Sequence, residues 1–177
     1  MLKINQNNKT RIIKILRNIT LSSSILFAMQ PVEAEIRGGG LGTTVNNSQI
    51  IGCTTGSCQV DGGYSSGSNL YHNFSSFDTR DIGITDVQIN SRMHSNVILG
   101  VSNPSGTFIN KPLGLSDQSS LFILSPAGIN IDGATFNNVH SLVLTNADQI
   151  NEGSSFYNIF DVSTSISLPN INLSENT

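Results

Sequence analysis

The side chains with most capacity for chemistry are three histidines, His72, His94 and His140, two cysteines, Cys53 and Cys58, and the acids Asp78, Asp81 and Asp86. A hydrolase needs a nucleophile held against an oriented base, and no histidine here stands in a recognisable arrangement of that kind. His72 falls inside the most aromatic stretch, Asn69-Leu70-Tyr71-His72-Asn73-Phe74-Ser75-Ser76-Phe77-Asp78, and reads as a packing and hydrogen-bonding residue. The three acids can attract a cation such as calcium. Their spacing lacks the D-x-D-x-D-G loop, so they read as a solvated acidic turn. Gly38-Gly39-Gly40 has no following Lys-Ser/Thr and is no phosphate loop. The residues therefore predict no catalytic group, no metal ligand set and no cofactor.

Cys53 and Cys58 frame the stretch Cys53-Thr54-Thr55-Gly56-Ser57-Cys58. In an oxidising compartment such a pair can close a disulfide across a turn, with Gly56 supplying the flexibility. A metal site or a redox pair is the alternative. A single C-x4-C lacks the second half of a zinc site, and it is not the C-x-x-C of thiol oxidoreductases.

The elements that must position these residues are strands. The chain has 177 residues, a net charge of −3, 12% charged residues and 6% aromatic residues. It is rich in Ser, Asn, Gly, Thr and Ile and poor in strong helix formers, which is a β composition. The charge excludes a generally basic nucleic-acid binder. It is also unevenly divided. Residues 1–34 carry five of the nine basic side chains and one acid; residues 35–177 carry four basic side chains and eleven acids, a net −7.

Residues 1–34 read as a secretory signal. A basic segment ends at Arg17, an apolar run covers 19–29, and Pro31-Val32-Glu33-Ala34 offers a cleavage site between Ala34 and Glu35. The apolar run is shorter than the ~20 residues that cross a bilayer. A buried or amphipathic N-terminal helix is the alternative. Cleavage predicts a mature chain, soluble or surface-attached, that begins at Glu35 and leaves the cytoplasm.

Short strands are expected at 43–45, 49–51 and 58–60. Turns are expected at Gly38-Gly39-Gly40, Asn46-Asn47, Asp61-Gly62-Gly63 and Ser65-Ser66-Gly67. From residue 84 a loose repeat follows, with apolar runs at 84–89, 97–99, 121–124 and 142–144. The last three start 24 and 21 residues apart. Such a period suits a β-solenoid, in which stacked coils bury a narrow core and corner Asn and Ser side chains bond from coil to coil. A sandwich of short strands has compatible spacing.

Four ordered segments resemble one family, the N-terminal haemagglutination-activity (two-partner secretion, TPS) domain of filamentous-haemagglutinin-like exoproteins. Residues 67–77, Gly67-Ser68-Asn69-Leu70-Tyr71-His72-Asn73-Phe74-Ser75-Ser76-Phe77, are similar to its G-x-N-L-F-H-S-F-x-x-F segment. Asn96-Val97-Ile98-Leu99-Gly100-Val101 is similar to N-I-I-x-R-V. Ser120-Leu121-Phe122-Ile123-Leu124-Ser125-Pro126-Ala127-Gly128-Ile129 is similar to N-L-F-L-I-N-P-N-G-I. Leu142-Val143-Leu144-Thr145-Asn146-Ala147-Asp148 is similar to the strand that closes the domain.

The resemblance implies an all-β fold, a right-handed parallel β-helix with a partly antiparallel N-terminal cap, over residues 35–168. A polar tail, 169–177, follows. The implied role is non-enzymatic. The domain directs a haemagglutinin- or adhesin-like exoprotein across the outer membrane through a POTRA-barrel transporter, to the cell surface or the medium. The implied fold and secretion residues are Asn69, His72, Phe74 and Phe77 in the cap, with Ser125, Pro126, Gly128 and Ile129 at a turn. Host or cell-surface carbohydrate or protein is a further expected partner class, and nucleic acid is not. Three positions depart from the pattern: Ser125 and Ala127 stand where the family has Asn, and Gly100 where it has Arg. The chain ends at Thr177, soon after such a domain would end, so either a truncated member or a small stand-alone relative is expected. A β-helical carbohydrate-binding or carbohydrate-active surface protein is the alternative function.

Overall fold

Val97, Leu121 and Leu142, whose spacing set the expected period, are direct neighbours across parallel strands. The computed structural model describes residues 34–152, 154–162 and 168. Those residues form an all-β, largely parallel β-solenoid with an antiparallel N-terminal portion.

The strands are β1 (Ile36–Gly40), β2 (Thr44–Val45), β3 (Gly56–Asp61), β4 (Tyr64–Ser66), β5 (Asn69–Phe77), β6 (Ile84–Ile89) and β7 (Asn96–Val101). After them come β8 (Thr107–Ile109), β9 (Leu113–Leu124), β10 (Ile129–Ile131), β11 (Phe136–Thr145), β12 (Gln149–Glu152) and β13 (Ser155–Asn158). They stack on three faces. On the first, β3 pairs in parallel with β6, β6 with the start of β9, and the start of β9 with that of β11. On the second, β5 pairs with β7, β7 with the end of β9, and the end of β9 with that of β11. On the third, Asp78 bridges to Phe108 of β8, and β8 pairs with β10. β9 and β11 each serve the first two faces, and the register between them slips where they pass the corner.

Each coil is amphipathic only in company. Along β7, Val97, Leu99 and Val101 turn inward to join Cys58, Val60, Val87, Ile89, Leu113, Leu115, Leu121 and Ile123 in one core. The alternate residue, Ile98, joins Tyr71, Phe122, Tyr157 and Ile159 in a second cluster. This period-two division leaves every residue of β7 buried, as in a strand covered on both sides. The cover is the hairpin β12–β13 and the segment after it. Asn73 Nδ2 donates to the carbonyl of Ile159 at 2.7 Å, and Tyr157 Oη donates to that of His72 at 3.3 Å. The chain thus returns from the last coil to the first.

The coil corners carry polar ladders, because buried amides and hydroxyls there need partners. Asn96 Nδ2 donates to Asn69 Oδ1 at 2.7 Å, and Asn103 Nδ2 to Ser76 Oγ at 3.1 Å. Thr79 Oγ1 donates to Asn110 Oδ1 at 2.9 Å, and Ser91 Oγ to Asp117 Oδ2 at 2.8 Å.

Sequence expectations fail locally at three places. Of the turn expected at Ser65-Ser66-Gly67, Ser65 and Ser66 belong to β4 and the turn begins at Gly67. Gly38-Gly39-Gly40 is part of β1 and not a turn. The strand lies so close to β5 that a Cβ on Gly39 would meet the Asn73 side chain and the Phe74 backbone. Residues 49–51 are a bend and not a strand. Ser48 Oγ accepts the N–H groups of Ile50 and Ile51, and this local bonding displaces a sheet ladder. Residues 1–33, with nearly all of the expected signal, and the tail 169–177 lie outside the described residues.

Candidate functional site

The cap residues share one strand. Asn69, His72, Phe74 and Phe77 are all on β5 and all fully buried. Phe74 and Phe77 meet edge to face, with ring centres 5.0 Å apart. Asn69 opens the strand and anchors the asparagine ladder described above. His72 is enclosed beneath the antiparallel portion. The Thr43 hydroxyl, which accepts the N–H of Asn73, stands 3.3 Å from His72 Nδ1. Nε2 has no hydrogen-bond partner among the described residues. Burial first, then the positive charge of Arg92 and of His94, pulls the His72 pKa from 6.5 down to about 3. His72 is therefore neutral at ordinary pH and sealed from any substrate.

The turn residues lie at the corner between the second and third faces. The N–H of Gly128 donates to the carbonyl of Ser125 at 2.9 Å, and Ser125 Oγ donates to the carbonyl of Gly128 at 2.9 Å. The serine hydroxyl thus closes the turn where the family has an asparagine. Gly128 has a φ of +104°, and a Cβ there would meet nothing within 4 Å. Glycine is needed at this position for its backbone angle and not for space. Ile129 then enters β10, partly buried against the core.

A second turn of the same shape sits one coil earlier. The N–H of Gly106 donates to the carbonyl of Asn103 at 3.0 Å, and Asn103 Oδ1 accepts the N–H of Ser105 at 2.8 Å. Gly106 also has a positive φ, +88°, and its Cβ direction points at the carbonyl of Gly128. Asn103-Pro104-Ser105-Gly106 and Ser125-Pro126-Ala127-Gly128 are therefore stacked equivalents. In sequence the signal was the shared x-Pro-x-Gly, a common turn pattern that does not by itself reveal stacking.

Gly100 has its own explanation. A Cβ there would run into the Tyr157 hydroxyl and Ile159 Cγ2. The returning C-terminal segment occupies the space that any side chain at position 100 would enter. Burial also pushes the Tyr157 phenol up, out of the range in which it ionises.

The remaining candidates stay apart. Cys53 and Cys58 are joined in a disulfide, and both are buried in the core beside Ile36 and Val60. At the expected cleavage junction, Ala34 is partly buried. The Glu35 carboxylate pairs with Arg37 at 2.9 Å, and the Glu35 carbonyl accepts the N–H of Asp78. Asp78 is clasped by Arg80, whose guanidinium also lies 3.5 Å from the centre of the Phe108 ring. Asp81 Oδ1 accepts the N–H of Gly83. Asp86 accepts from Gln88, Thr85 and Ser57, which lowers its pKa. Each acid is thus used locally. Among the described residues no group of three His, Cys, Asp or Glu side chains could hold a metal ion.

Gly63-Tyr64-Ser65-Ser66-Gly67 fits the G-x-S-x-G string of a hydrolase nucleophile elbow. In the structure its centre, Tyr64–Ser66, is strand β4, with Ser65 opposite Leu70 of antiparallel β5; Gly67 opens the tight turn between the two strands, and no helix follows. The chemistry of that motif needs a strand-to-helix turn. A groove of about 360 Å³ is lined by Ser95, Asn96, Gln118, Ser120, His140 and Ser141, with Ser119 beside them. It offers hydroxyls, amides and an imidazole, and no carboxylate belongs to its lining. No protein-family model, no curated protein and no solved structure matches the chain.

Proposed function

We propose that this β-solenoid is a non-enzymatic export domain of the two-partner secretion kind, carrying a haemagglutinin- or adhesin-like protein across an outer membrane to the surface or the medium. One observation carries the reading. The four segments that resemble the TPS domain are consecutive rungs of a single parallel face, β5–β7–β9–β11, in continuous register. The spacing of the resemblance is therefore the spacing of the coils.

The proposed mechanism uses main chain. Before it folds, the chain offers strand edges to the transporter's periplasmic POTRA domains, which add strands by β-augmentation. Folding outside then stacks each coil on the last, withdraws those edges and opposes backsliding. Asn69, His72, Phe74 and Phe77 seat the first coil. Ser125, Pro126, Gly128 and Ile129 set the corner that the third coil turns.

The test is binding of the full chain to purified POTRA domains of a matching transporter, once freshly diluted from urea and once folded. The diluted chain should bind and the folded chain should not. Equal binding by both, or by neither, would remove the proposal.

A second reading, a carbohydrate-binding surface, is favoured by the hydroxyl- and amide-lined groove at Ser95, Gln118 and His140. Screening the folded chain against immobilised glycans distinguishes it. Binding lost with Gln118→Ala would support it, and the absence of binding would end it.

A further inference from the structure

The last coil is built like the coils before it but has no successor among the described residues. Leu121, Phe122 and Ile123 of β9 are 0%, 9% and 0% exposed, whereas their register partners Leu142, Val143 and Leu144 on β11 are 37%, 41% and 43% exposed. Among the described residues β11 is paired with β9 alone. Natural edge strands are guarded by charge, proline or a bulge that turns the edge away; the irregularities of β11 are confined to its corner, between Asn137 and Leu142, and its register is continuous from Leu142 to Thr145. Between Asp132 and Asp148 the sequence has no Asp, Glu, Lys, Arg or Pro. Nothing charged on this edge repels a second identical edge.

The edge is also complementary to itself. Its exposed stretch reads Ser141-Leu142-Val143-Leu144-Thr145, apolar at the centre and hydroxylic at both ends. Paired antiparallel with a copy of itself about Val143, its regular part sets Leu142 opposite Leu144 and Val143 opposite Val143. Side chains directly opposite each other lie on the same side of a sheet. Leu142 and Leu144 continue the inward columns that begin at Val97 and Leu99. The two cores would therefore become one. The symmetry is isologous and closes after two copies.

We infer that β11 is a self-association edge, through which two copies of this chain join end to end into one longer solenoid. The inference is independent of the export proposal, because it needs only the folded chain.

The test is the mass of the full folded chain in solution across a concentration series, by light scattering or sedimentation. The expected result is a concentration-dependent rise to twice the chain mass and no further. Val143→Lys, which sets two ammonium groups face to face on the two-fold axis, should hold the mass at one chain with unchanged circular dichroism. The two-fold register is tested by mixing Val143→Lys with Val143→Glu, which should form a one-to-one heterodimer while each alone stays monomeric. Leu142→Phe should leave dimerisation in place because it keeps an apolar side chain at the merged core, whereas Leu142→Glu with Leu144→Glu should abolish it. Val143→Cys should give a symmetric disulfide-linked dimer on mild oxidation. A wild-type chain that stays monomeric overturns the inference. So does a dimer indifferent to Val143→Lys, an assembly that grows past two copies, or a mixture of the Val143→Lys and Val143→Glu chains that stays monomeric.

Discussion

The same substitution at two heights in one column should have different costs. Leu121 and Leu142 are the same residue type, adjacent in register and aimed into the same core. Leu121 is 0% exposed, with Val97 on one side and Leu142 on the other. Leu→Ala removes three carbons, and at about 0.8 kcal/mol per buried CH₂ the transfer contribution is about 2.4 kcal/mol. A closed core adds the cost of the cavity, which brings Leu121→Ala to about 3–4 kcal/mol. Leu142 is 37% exposed, so the transfer contribution scales down to about 1.5 kcal/mol, and water fills the space left behind. The two variants should differ by roughly 2 kcal/mol in urea unfolding followed by far-UV circular dichroism, with the slope against urea unchanged. The measurement belongs at a concentration where the chain is monomeric, since a partner over β11 would raise the cost at Leu142. Equal costs in the monomer would refute the assignment of Leu142 to an open terminal coil.

Other outcomes follow from the cap, the turns and the disulfide. An unfolded histidine takes up a proton near pH 6.5, while His72 in the folded chain does so only near 3; the unfolded state therefore binds more protons between those values, and stability falls as pH falls. At about 1.4 kcal/mol per pH unit, the step from pH 6.5 to pH 5 should cost about 2 kcal/mol, and His72→Phe should flatten that part of the stability–pH curve measured by urea titration. Gly128→Ala should cost about 1–2 kcal/mol, from a left-handed backbone angle alone. Gly100→Ala should instead loosen the C-terminal segment against Tyr157 and Ile159, read as faster amide exchange there with the solenoid intact. Reducing Cys53–Cys58 should lower stability by about 2 kcal/mol, the value for so short a loop, visible as a fall in Tm under reductant.

The sequence revealed the second face most clearly. Its runs at 97–99 and 121–124 are strongly apolar because those strands are buried on both sides, and the run at 142–144 falls in register with them. What covers its outer side was not legible. The β12–β13 stretch has only Ile150, Phe156 and Tyr157 as apolar markers, and nothing local says that it doubles back to Gly100 and Asn73. The N-terminal portion misled in two places for opposite reasons. Three consecutive glycines signal a turn, yet here they permit close approach of β1 to β5. Ile50 and Ile51 signal a strand, yet Ser48 captures their N–H groups and leaves both side chains exposed. At the candidate site, Gly128 was readable as a left-handed position because φ is a local property. The stacking of its turn on Asn103-Pro104-Ser105-Gly106 depends on coil length, which changes from one coil to the next.

The export proposal is tested most directly in cells producing the chain with and without a matching two-partner transporter. Medium, surface and periplasmic fractions are collected, and the N-terminus of the product is read by mass spectrometry. The account predicts a product that begins at Glu35 and reaches the surface or medium only when the transporter is present. A product left in the periplasm in both cases, or one that keeps its N-terminal residues inside the cell, would contradict it.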